Sequence, residues 1–399
     1  MDGKISNIEF PGAAFDVAGH RIHIQYAPQD RWAALIQMIE QARRSIRMLS
    51  YTFSGDISGT AVRDALIAAA ARGVQVQLIV DSFGSSDNSD AFFAPLASAG
   101  AEFLWFSARW NIGYFIRNHQ KIIIMDDDTA LIGGYNIADS YFGKAGDASW
   151  EDFGMTICGA QILALAAYFD QLVALMQDQG VRFLELRDLI RSWQPGSGPV
   201  QILLGGPTNR ISPWARRLIR DLDSAKSLHL AMAYFSPTQS ILRRIGNVAR
   251  RGEAKLILAG KSDNLATIGA SRIIYGFLLR RGAQIFEFQP RPLHMKMLVI
   301  NDASYIGSSN LDVRSLFINM EIMVRVDDAK LAEYLRLLII QREQNSEQQT
   351  EALHKKRASW INRLRWTISY FLVNTLDYSV GRRIRFRFLR DKLKKQIKG

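Results

Sequence analysis

Two His-x-Lys segments contain the residues of this sequence that are best suited to chemistry. His119 and Lys121 form one segment, and His294 and Lys296 form the other. Residues two apart on an extended chain project from the same face, so the imidazole and the ammonium of each segment point the same way. Each segment therefore offers an imidazole and a positive charge to one small anion.

The two segments belong to a longer repeat. An apolar run follows each lysine, at residues 122–125 and 297–300, and such runs are typical of strands buried on both faces. A Gly-[Gly/Ser]-x-Asn element then follows at the same offset in both copies. Its glycines allow a tight turn with close backbone approach, and its Asn adds an amide donor. These residues are Gly133, Gly134 and Asn136 in the first copy, and Gly307, Ser308 and Asn310 in the second.

The repeated His-x-Lys-x4-Asp-x6-Gly-[Gly/Ser]-x-Asn pattern resembles the twin signature of the phospholipase D superfamily, over about residues 20–345. The resemblance implies two α/β domains related by a pseudo-twofold axis, with one active site between them. It also implies phosphodiester chemistry through a phosphohistidine, without a metal. One position departs from the pattern, because Asn301 stands where the first copy has Asp126. The motif Asp of this superfamily is thought to be structural, so we expect Asn301 to be tolerated.

A neutral catalytic imidazole usually needs a partner on its second nitrogen to fix its tautomer. The Trp-Glu-Asp element that ends at Asp152 resembles the Trp-x-Asp of cardiolipin synthases. The second half carries Asn-Leu-Asp-Val-Arg-Ser and then Asn-Met-Glu, ending at Glu321, which resemble that family's Asn-x-Asp-x-Arg-Ser and Asn-x-Glu. By this resemblance Asp152 is expected to orient His119, with Glu151 as its rival, and Glu321 to orient His294.

The same resemblance assigns the remaining roles. His119 is expected to be the nucleophile and His294 the general acid and base, although the sequence leaves the reverse assignment open. Four side chains are expected to bind the phosphoryl oxygens, with Ser308 as an additional hydroxyl: Lys121, Lys296, Asn136 and Asn310.

The apolar periodicity predicts alternating strands and helices that run through the chain twice. Predicted strands at 45–53 and 227–235 match, as do the buried strands at 74–81 and 254–259. A further strand is predicted at 150–158. We expect two tandem α/β domains, at 1–191 and 200–354, each a mixed sheet covered by helices. The turn-rich segment 192–199 is the predicted linker.

The composition is that of a globular protein, with 48% hydrophobic and 22% charged residues in a chain of 399. Cys158 is the only cysteine, so an internal disulfide is excluded. No His, Cys or Asp cluster has metal-ligand spacing, and no cofactor is expected. The sequence lacks a signal-peptide pattern and a run of about 18 apolar residues, so we expect no conventional transmembrane helix.

The net charge of +12 is concentrated at the carboxyl end of the chain. Residues 355–399 hold fourteen Lys and Arg residues and two acids, which leaves the body neutral. Cations interleaved with aromatic and aliphatic residues suit an interfacial anchor on anionic lipid. A solvated basic tail and a nucleic-acid arm are the alternatives. The predicted membrane-binding residues are Trp360, Trp366, Phe371, Arg382, Arg383, Arg385 and Arg387.

These features favour a peripheral membrane enzyme on the cytoplasmic face, resembling cardiolipin synthase. It would pass a phosphatidyl group between two phosphatidylglycerol molecules, which gives cardiolipin and glycerol. Phospholipase D hydrolysis differs only in using water as acceptor. A nuclease is the runner-up, and a nucleic-acid partner is not expected because the neutral body lacks the clustered cations that a nucleic-acid groove needs. The oligomeric state stays open.

Overall fold

The structure is a computed structural model, and it describes residues 9–107, 116–143, 146, 149–177, 182–208, 211–262 and 265–375. Four arginines of the predicted membrane-binding tail lie outside the described residues, namely Arg382, Arg383, Arg385 and Arg387.

The first half of the chain forms an eight-stranded mixed sheet. Its strands are β1 (Ala13–Val17), β2 (His20–Gln25), β3 (Ser45–Ser50), β4 (Gln75–Asp81), β5 (Glu102–Phe106), β6 (Ile122–Met125), β7 (Thr129–Gly133) and β8 (Gly154–Cys158). They lie in the order β1-β2-β8-β7-β6-β3-β4-β5, in which β3, β4 and β5 run parallel and the other neighbours antiparallel. The helices are α1 (Pro28–Gln41), α2 (Ile57–Ala71), α3 (Asp90–Ser98), α4 (Gln161–Gln177) and α5 (Phe183–Ser192).

The second half repeats this sheet. Its strands are β9 (Val200–Gly205), β10 (Ser227–Met232), β12 (Glu253–Ala259), β13 (Gln284–Phe288), β14 (Lys296–Ile300), β15 (Ala303–Gly307), β17 (Glu321–Asp327) and β18 (Ser346–Gln349), with the short pair β11 (Phe235–Ser236) and β16 (Leu311–Asp312) beside them. The sheet order is β18-β13-β12-β10-β14-β15-β17-β9. The helices are α6 (Pro213–Ser224), α7 (Gln239–Arg251), α8 (Leu265–Leu279), α9 (Val313–Phe317), α10 (Ala329–Glu343), α11 (Glu351–Arg357) and α12 (Trp360–Thr375).

The predicted duplication of a mixed, helix-covered sheet is confirmed. The two motif strands, β6 and β14, occupy equivalent central places: β6 pairs with β3 and β7, and β14 pairs with β10 and β15. Both strands are buried along their whole length, as their unbroken apolar runs predict. The domain boundaries at 191 and 199 stay predictions.

Three predicted strands are longer than the observed ones. The strand predicted at 45–53 ends at Ser50, and the one predicted at 227–235 is interrupted after Met232. The strand predicted from Trp150 begins only at Gly154. In each case the missing segment leaves the sheet to border the cleft between the halves, which hydrophobic periodicity alone does not reveal.

Helices and sheets alternate in layers around three apolar cores. One core lies between the first sheet and the helices α1, α2 and α3, and another lies between the second sheet and α6, α7 and α8. The third core is shared, because it contains side chains from both sheets together with α4 and α10. The halves are therefore joined by a continuous apolar layer, whose burial is the main favourable contribution to holding them together.

The motif position occupied by Asp126 and Asn301 has the same structural role in both halves. Oδ1 of Asp126 accepts the backbone N–H groups of Arg44 and Ser45 at 2.7 and 3.0 Å. Oδ1 of Asn301 accepts those of Lys226 and Ser227 at 3.0 and 3.1 Å. Both residues have a positive φ, of 53° and 51°, a region that Asp and Asn tolerate. An acceptor oxygen is what the position requires, so the loss of charge in the second half is harmless.

We predict that Asn301→Asp leaves stability nearly unchanged, whereas Asn301→Ala lowers the free energy of unfolding by about 1–2 kcal/mol. The alanine leaves two backbone N–H groups without their acceptor and disfavours the positive φ. The thermal midpoint should fall by roughly 1–2 °C. Asp302→Asn is the matched control, since Asp302 is exposed at the same turn. Equal midpoints for the Ala and Asp variants would contradict this role.

Candidate active site

Both motif histidines lie where the two halves of the chain meet. The backbone N–H of His119 donates to the carbonyl of Met320 at 2.9 Å, and that of Met320 donates to Arg117 at 2.8 Å. In the other motif, the N–H of His294 donates to the carbonyl of Glu151 at 2.8 Å, and that of Glu151 donates to Pro292 at 2.9 Å. Two equivalent parallel β-bridges therefore join each histidine segment to the opposite half.

These bridges bring each histidine to a carboxylate of the other half. Nδ1 of His119 lies 3.1 Å from Oε2 of Glu321, and Nδ1 of His294 lies 2.6 Å from Oδ2 of Asp152. The expectation that Asp152 orients His119 and Glu321 orients His294 was wrong. The pairing is crossed because the bridges set Met320 beside Asn118 and Leu293 beside Glu151, so the next residue of each pair meets across the interface.

The rival carboxylate, Glu151, has a different place in the interface. It accepts hydrogen bonds from Tyr26 at 2.5 Å and from Arg342 at 3.0 Å, and it lies 3.0 Å from the guanidinium of Arg291. Arg342 is buried on α10, in the second half. Glu151 therefore ties the halves together behind the site and does not contact either imidazole.

The Gly-[Gly/Ser]-x-Asn elements support the two carboxylates. A Cβ at Gly134 would lie 2.5 Å from Oδ1 of Asp152, so only glycine leaves room for that carboxylate. In the second half, the hydroxyl of Ser308 donates to Oε2 of Glu321. The expectation that Ser308 contributes its hydroxyl to substrate therefore needs correction, because this hydroxyl is bonded to the carboxylate behind His119. Gly307 lies close to the backbone of β17, and Gly133 lies close to the backbone of β8 at the equivalent position of the first half.

The two motif lysines are buried beside the imidazoles. Nζ of Lys121 donates to the carbonyl of His119 at 2.7 Å and lies 5.0 Å from the ring centre of Tyr51. Nζ of Lys296 lies 2.7 Å from Nδ1 of His294. Each lysine therefore shares a side with the histidine two residues before it, as the extended spacing predicts. Burial lowers the pKa of Lys121 to about 7, despite the nearby carboxylate of Glu321.

Burial also shifts the pKa values of the imidazoles and of Asp152. It lowers the pKa of His119, against the opposing effect of Glu321. It lowers that of His294 well below the usual value, and Lys296 adds to the shift. Burial raises the pKa of Asp152 to about 6. His119 is therefore neutral at neutral pH, which leaves a nitrogen lone pair for attack.

Aromatic rings and one arginine fix the position of the imidazoles. His294 packs edge-on against Tyr141 and Trp150, with ring centres 5.2 and 5.0 Å apart, and His119 packs against Tyr51 at 4.7 Å. The buried Arg31 donates to the backbone carbonyls of Asp152 and Tyr141, at 2.5 and 2.7 Å. These contacts limit rotation of the imidazoles and hold the Asp152 segment in place.

The imidazoles open into one cleft of about 380 Å³. Both motif asparagines line it. Nδ2 of Asn136 donates to the hydroxyl of Tyr141 at 2.9 Å, whereas Oδ1 of Asn310 is buried and has no hydrogen-bond partner among the described residues. Further lining residues come from both halves, among them Tyr51, Arg117, Ser140, Trp150, Arg314 and Asn319. The arrangement presents two imidazole nitrogens and several donors to one small anionic group.

Comparison with known proteins identifies the family. The family model described as "Cardiolipin synthase, PLD-like domain" matches residues 35–173 and 218–341, about two thirds of the chain. The chain belongs to this family. The two matched segments fall one in each half, so each sheet with its motif is one copy of the PLD-like domain.

Curated members of the cardiolipin synthase family are similar over most of this chain. Cardiolipin synthase 1 of Bacillus anthracis is 32% identical over 311 residues, which are 73% of this chain and 60% of that protein. Cardiolipin synthase B of Escherichia coli K12 is 29% identical over 328 residues, which are 80% of this chain and 79% of that protein. The chain thus spans about 60% of the length of the Bacillus relative.

A solved structure shares the whole fold. The phosphatidylserine synthase of Haemophilus influenzae superposes with a TM-score of 0.66, over 98% of this chain and 97% of that one, at 14% identity. The expected phospholipase D fold is therefore confirmed.

Several residues of the site were not predicted from the sequence. Tyr51 and Tyr141 had no motif to mark them, and Arg31 stands on an ordinary amphipathic helix. Arg117 could have been predicted, because it lies two residues before His119. Its side chain therefore projects from the same side of an extended segment as the imidazole. The positions of these side chains depend on contacts between residues that are far apart in the chain. Spacing along the sequence does not reveal such contacts.

The crossed pairing predicts which imidazole responds to which carboxylate. Glu321→Gln removes a negative charge beside His119, so the pKa of His119 should fall further while that of His294 changes less. Asp152→Asn should act mainly on His294. Both are measured by following the six histidines of ¹⁵N-histidine-labelled protein in NMR spectra across pH, with His119→Ala to assign the signal. If Glu321→Gln changed the pKa of His294 alone, the result would show that each histidine pairs with the carboxylate of its own half.

Proposed function

We propose that this protein is a phosphatidyltransferase of the cardiolipin synthase type. It transfers a phosphatidyl group from one phosphatidylglycerol to the headgroup hydroxyl of another, with cardiolipin and glycerol as products. The observation that carries the proposal is the pair of buried imidazoles, each backed on Nδ1 by a carboxylate, that share one cleft. Membership of the cardiolipin synthase family supports the substrate class.

In the first step, Nε2 of His119 attacks phosphorus and the bond from phosphorus to the headgroup oxygen breaks. The bound anionic phosphodiester favours the protonated form of His294, which gives its proton to that oxygen, and glycerol leaves. In the second step, the headgroup hydroxyl of another phosphatidylglycerol gives its proton to His294, and its oxygen attacks phosphorus. The bond to His119 then breaks and cardiolipin is released. Nδ1 of both imidazoles faces a carboxylate, which leaves Nε2 as the reacting nitrogen.

His119 is assigned as the nucleophile partly because its side chain is 12% exposed, against 6% for His294. A bound phosphodiester favours the charged forms of Lys121 and Lys296, and their ammonium groups stabilise the phosphoryl oxygens as charge builds up in the transition state. The amide groups of Asn136 and Asn310 line the same cleft and serve the same purpose.

Hydrolysis and nuclease activity use the same chemistry. Water in place of the second lipid would give phosphatidic acid, so the acceptor alone separates a phospholipase D from the transferase. A nucleic-acid substrate is less well supported, because the described residues that line the cleft include Asp87 and Asp312 as well as Arg117 and Arg314, so this lining is not uniformly basic.

The test is a product assay on phosphatidylglycerol vesicles, with lipids and glycerol resolved by mass spectrometry. We expect cardiolipin and glycerol in equal amounts, and loss of both in His119→Ala and His294→Ala, because each step needs both imidazoles. His20→Ala, at the start of β2 and outside the residues that line the cleft, is the control. Phosphatidic acid as the only product would make the protein a hydrolase, and appreciable turnover in both variants would refute the mechanism.

The second part of the proposal places the cleft at a membrane surface. A volume of about 380 Å³ is near the lower end for ligand pockets and suits headgroups, so the acyl chains must remain outside. Helix α12 reaches the cleft, where Val373 lines it. The outer face of α12 exposes Trp360, Ile361, Leu364, Ile368, Phe371 and Leu372. Such an apolar face beside the cleft fits an interfacial helix on the bilayer.

Positive charge accompanies this face. Arg272, Arg357 and Arg365 line a pocket of about 460 Å³ between α8 and α12, in which Arg272 pairs with Glu287 and Arg357 with Glu347. Trp366 was expected to face the membrane, but it is only 7% exposed, packs towards α8 and stacks on His354 at 5.5 Å. It anchors α12 to the protein. Within the part of the chain that the structure describes, no helix is both long and apolar enough to cross a bilayer.

Substituting the exposed face tests this placement. Trp360→Asp with Phe371→Asp should abolish sedimentation with phosphatidylglycerol vesicles, because charge replaces side chains that are 75% and 57% exposed on the apolar face. Turnover of phosphatidylglycerol dissolved in detergent should persist. Leu163→Asp, at a residue 64% exposed on α4, is the control and should leave vesicle binding intact. Full vesicle binding by the double variant would show that α12 is not the element that binds the membrane.

A further inference from the structure

The centre of the cleft is pseudo-symmetric, and its equivalent residues serve one phosphodiester. Each half contributes a His, a Lys, an Asn and a carboxylate to it. A transferase between two phospholipids must hold a second phosphate as well. Only one glycerol unit separates the attacking hydroxyl of the acceptor from the acceptor's own phosphate, so that phosphate has to lie close beside the centre.

Two arginines break the symmetry of the cleft. Arg117 precedes His119 by two residues, and the equivalent place before His294 holds Pro292. Arg314 follows Asn310 by four residues, and the equivalent place after Asn136 holds Ser140. Both arginines line the cleft. Neither cation has a counterpart in the other half, so neither belongs to the duplicated core.

The two arginines lie on the same side of the cleft. The carbonyl of Arg117 accepts the N–H of Met320 at 2.8 Å, which fixes Arg117 beside the 319–321 segment. The N–H of Asn319 donates to the carbonyl of Arg314 at 2.8 Å, and the guanidinium of Arg314 lies 3.4 Å from Oδ1 of Asn319. Arg117 and Arg314 therefore flank Asn319, on the side of His119 and Glu321.

The surroundings of the arginines suit anion binding. The guanidinium of Arg117 lies 4.0 Å from the ring centre of Phe83, and Arg117 is largely buried, so its charge is partly desolvated. Carboxylates lie near both arginines, since the buried Asp81 interacts electrostatically with Arg117, and Asp312 with Arg314. Asp312 is engaged in accepting the N–H of Ser315 at 2.8 Å, where it caps α9, and burial raises its pKa to about 6. Asp87 lies exposed at the rim.

We propose that Arg117 and Arg314, with Asn319 between them, form a second phosphate subsite that holds the phosphodiester of the acceptor phospholipid. This inference rests on the proposed transferase function and explains how an acceptor lipid is selected over water. Guanidinium groups bind phosphate oxygens through paired, charge-assisted hydrogen bonds. With its phosphate on these arginines, the acceptor presents its headgroup hydroxyl to the phosphorus held between the histidines.

The experiment compares two acceptors in one reaction. Phosphatidylglycerol vesicles are supplied with deuterated glycerol, and mass spectrometry follows cardiolipin and deuterated phosphatidylglycerol together. Both products draw on the same phosphohistidine, but glycerol carries no phosphate. In Arg117→Gln and in Arg314→Gln, the ratio of cardiolipin to deuterated phosphatidylglycerol should fall roughly tenfold or more, because a charge-assisted contact to the acceptor is lost. Thermal unfolding verifies that both variants fold.

Arg220→Gln is the matched control, since Arg220 is exposed on α6 and the substitution removes the same charge. It should leave the ratio unchanged, which excludes a general loss of attraction to the vesicle. An equal fall of both products in the Arg117 and Arg314 variants, or an unchanged ratio, would overturn the subsite while leaving the transferase intact. If the unsubstituted protein forms neither product, the proposed function fails and the subsite fails with it.

Discussion

The site depends on one constraint, which is that each imidazole takes its carboxylate from the opposite half of the chain. The β-bridges at Asn118–Met320 and Glu151–Leu293 enforce this exchange, and the shared core that includes α4 and α10 keeps the halves in register. A buried carboxylate is costly without a partner. Packing, backbone pairing and charge pairing at the interface therefore favour the same relative placement of the halves.

The sequence was most informative where information is local. Apolar runs predicted the buried strands β6 and β14, and the repeated motif predicted a duplicated fold. The role of Asn301 also followed, because an acceptor oxygen is all that its turn requires. The partners of His119 and His294 could not be predicted, since both halves offer a carboxylate at an equivalent position. Spacing along a chain does not distinguish pairing within a half from pairing across the interface.

The cleft contains two kinds of residue, namely those that are duplicated in both halves and those that have no counterpart in the other half. The duplicated residues lie around one cleft and are nearly interchangeable in type, apart from small differences such as Gly134 against Ser308. The residues that differ, Arg117 and Arg314, lie on one side. Symmetric chemistry suits a reaction in which one phosphoryl centre is attacked and released along the same line. Residues that break the symmetry are needed where a site must distinguish the leaving alcohol from the attacking alcohol.

The crossed carboxylates also bear on the order of events during synthesis. The amino-terminal half leaves the ribosome first and can form its sheet early, but His119 then lacks Glu321, which belongs to the last strands to be made. His294 finds Asp152 only when the halves close. In a nascent or partly opened chain, both imidazoles therefore lack the carboxylates that orient them. The complete pair of imidazoles with their carboxylates exists only after the two halves have closed.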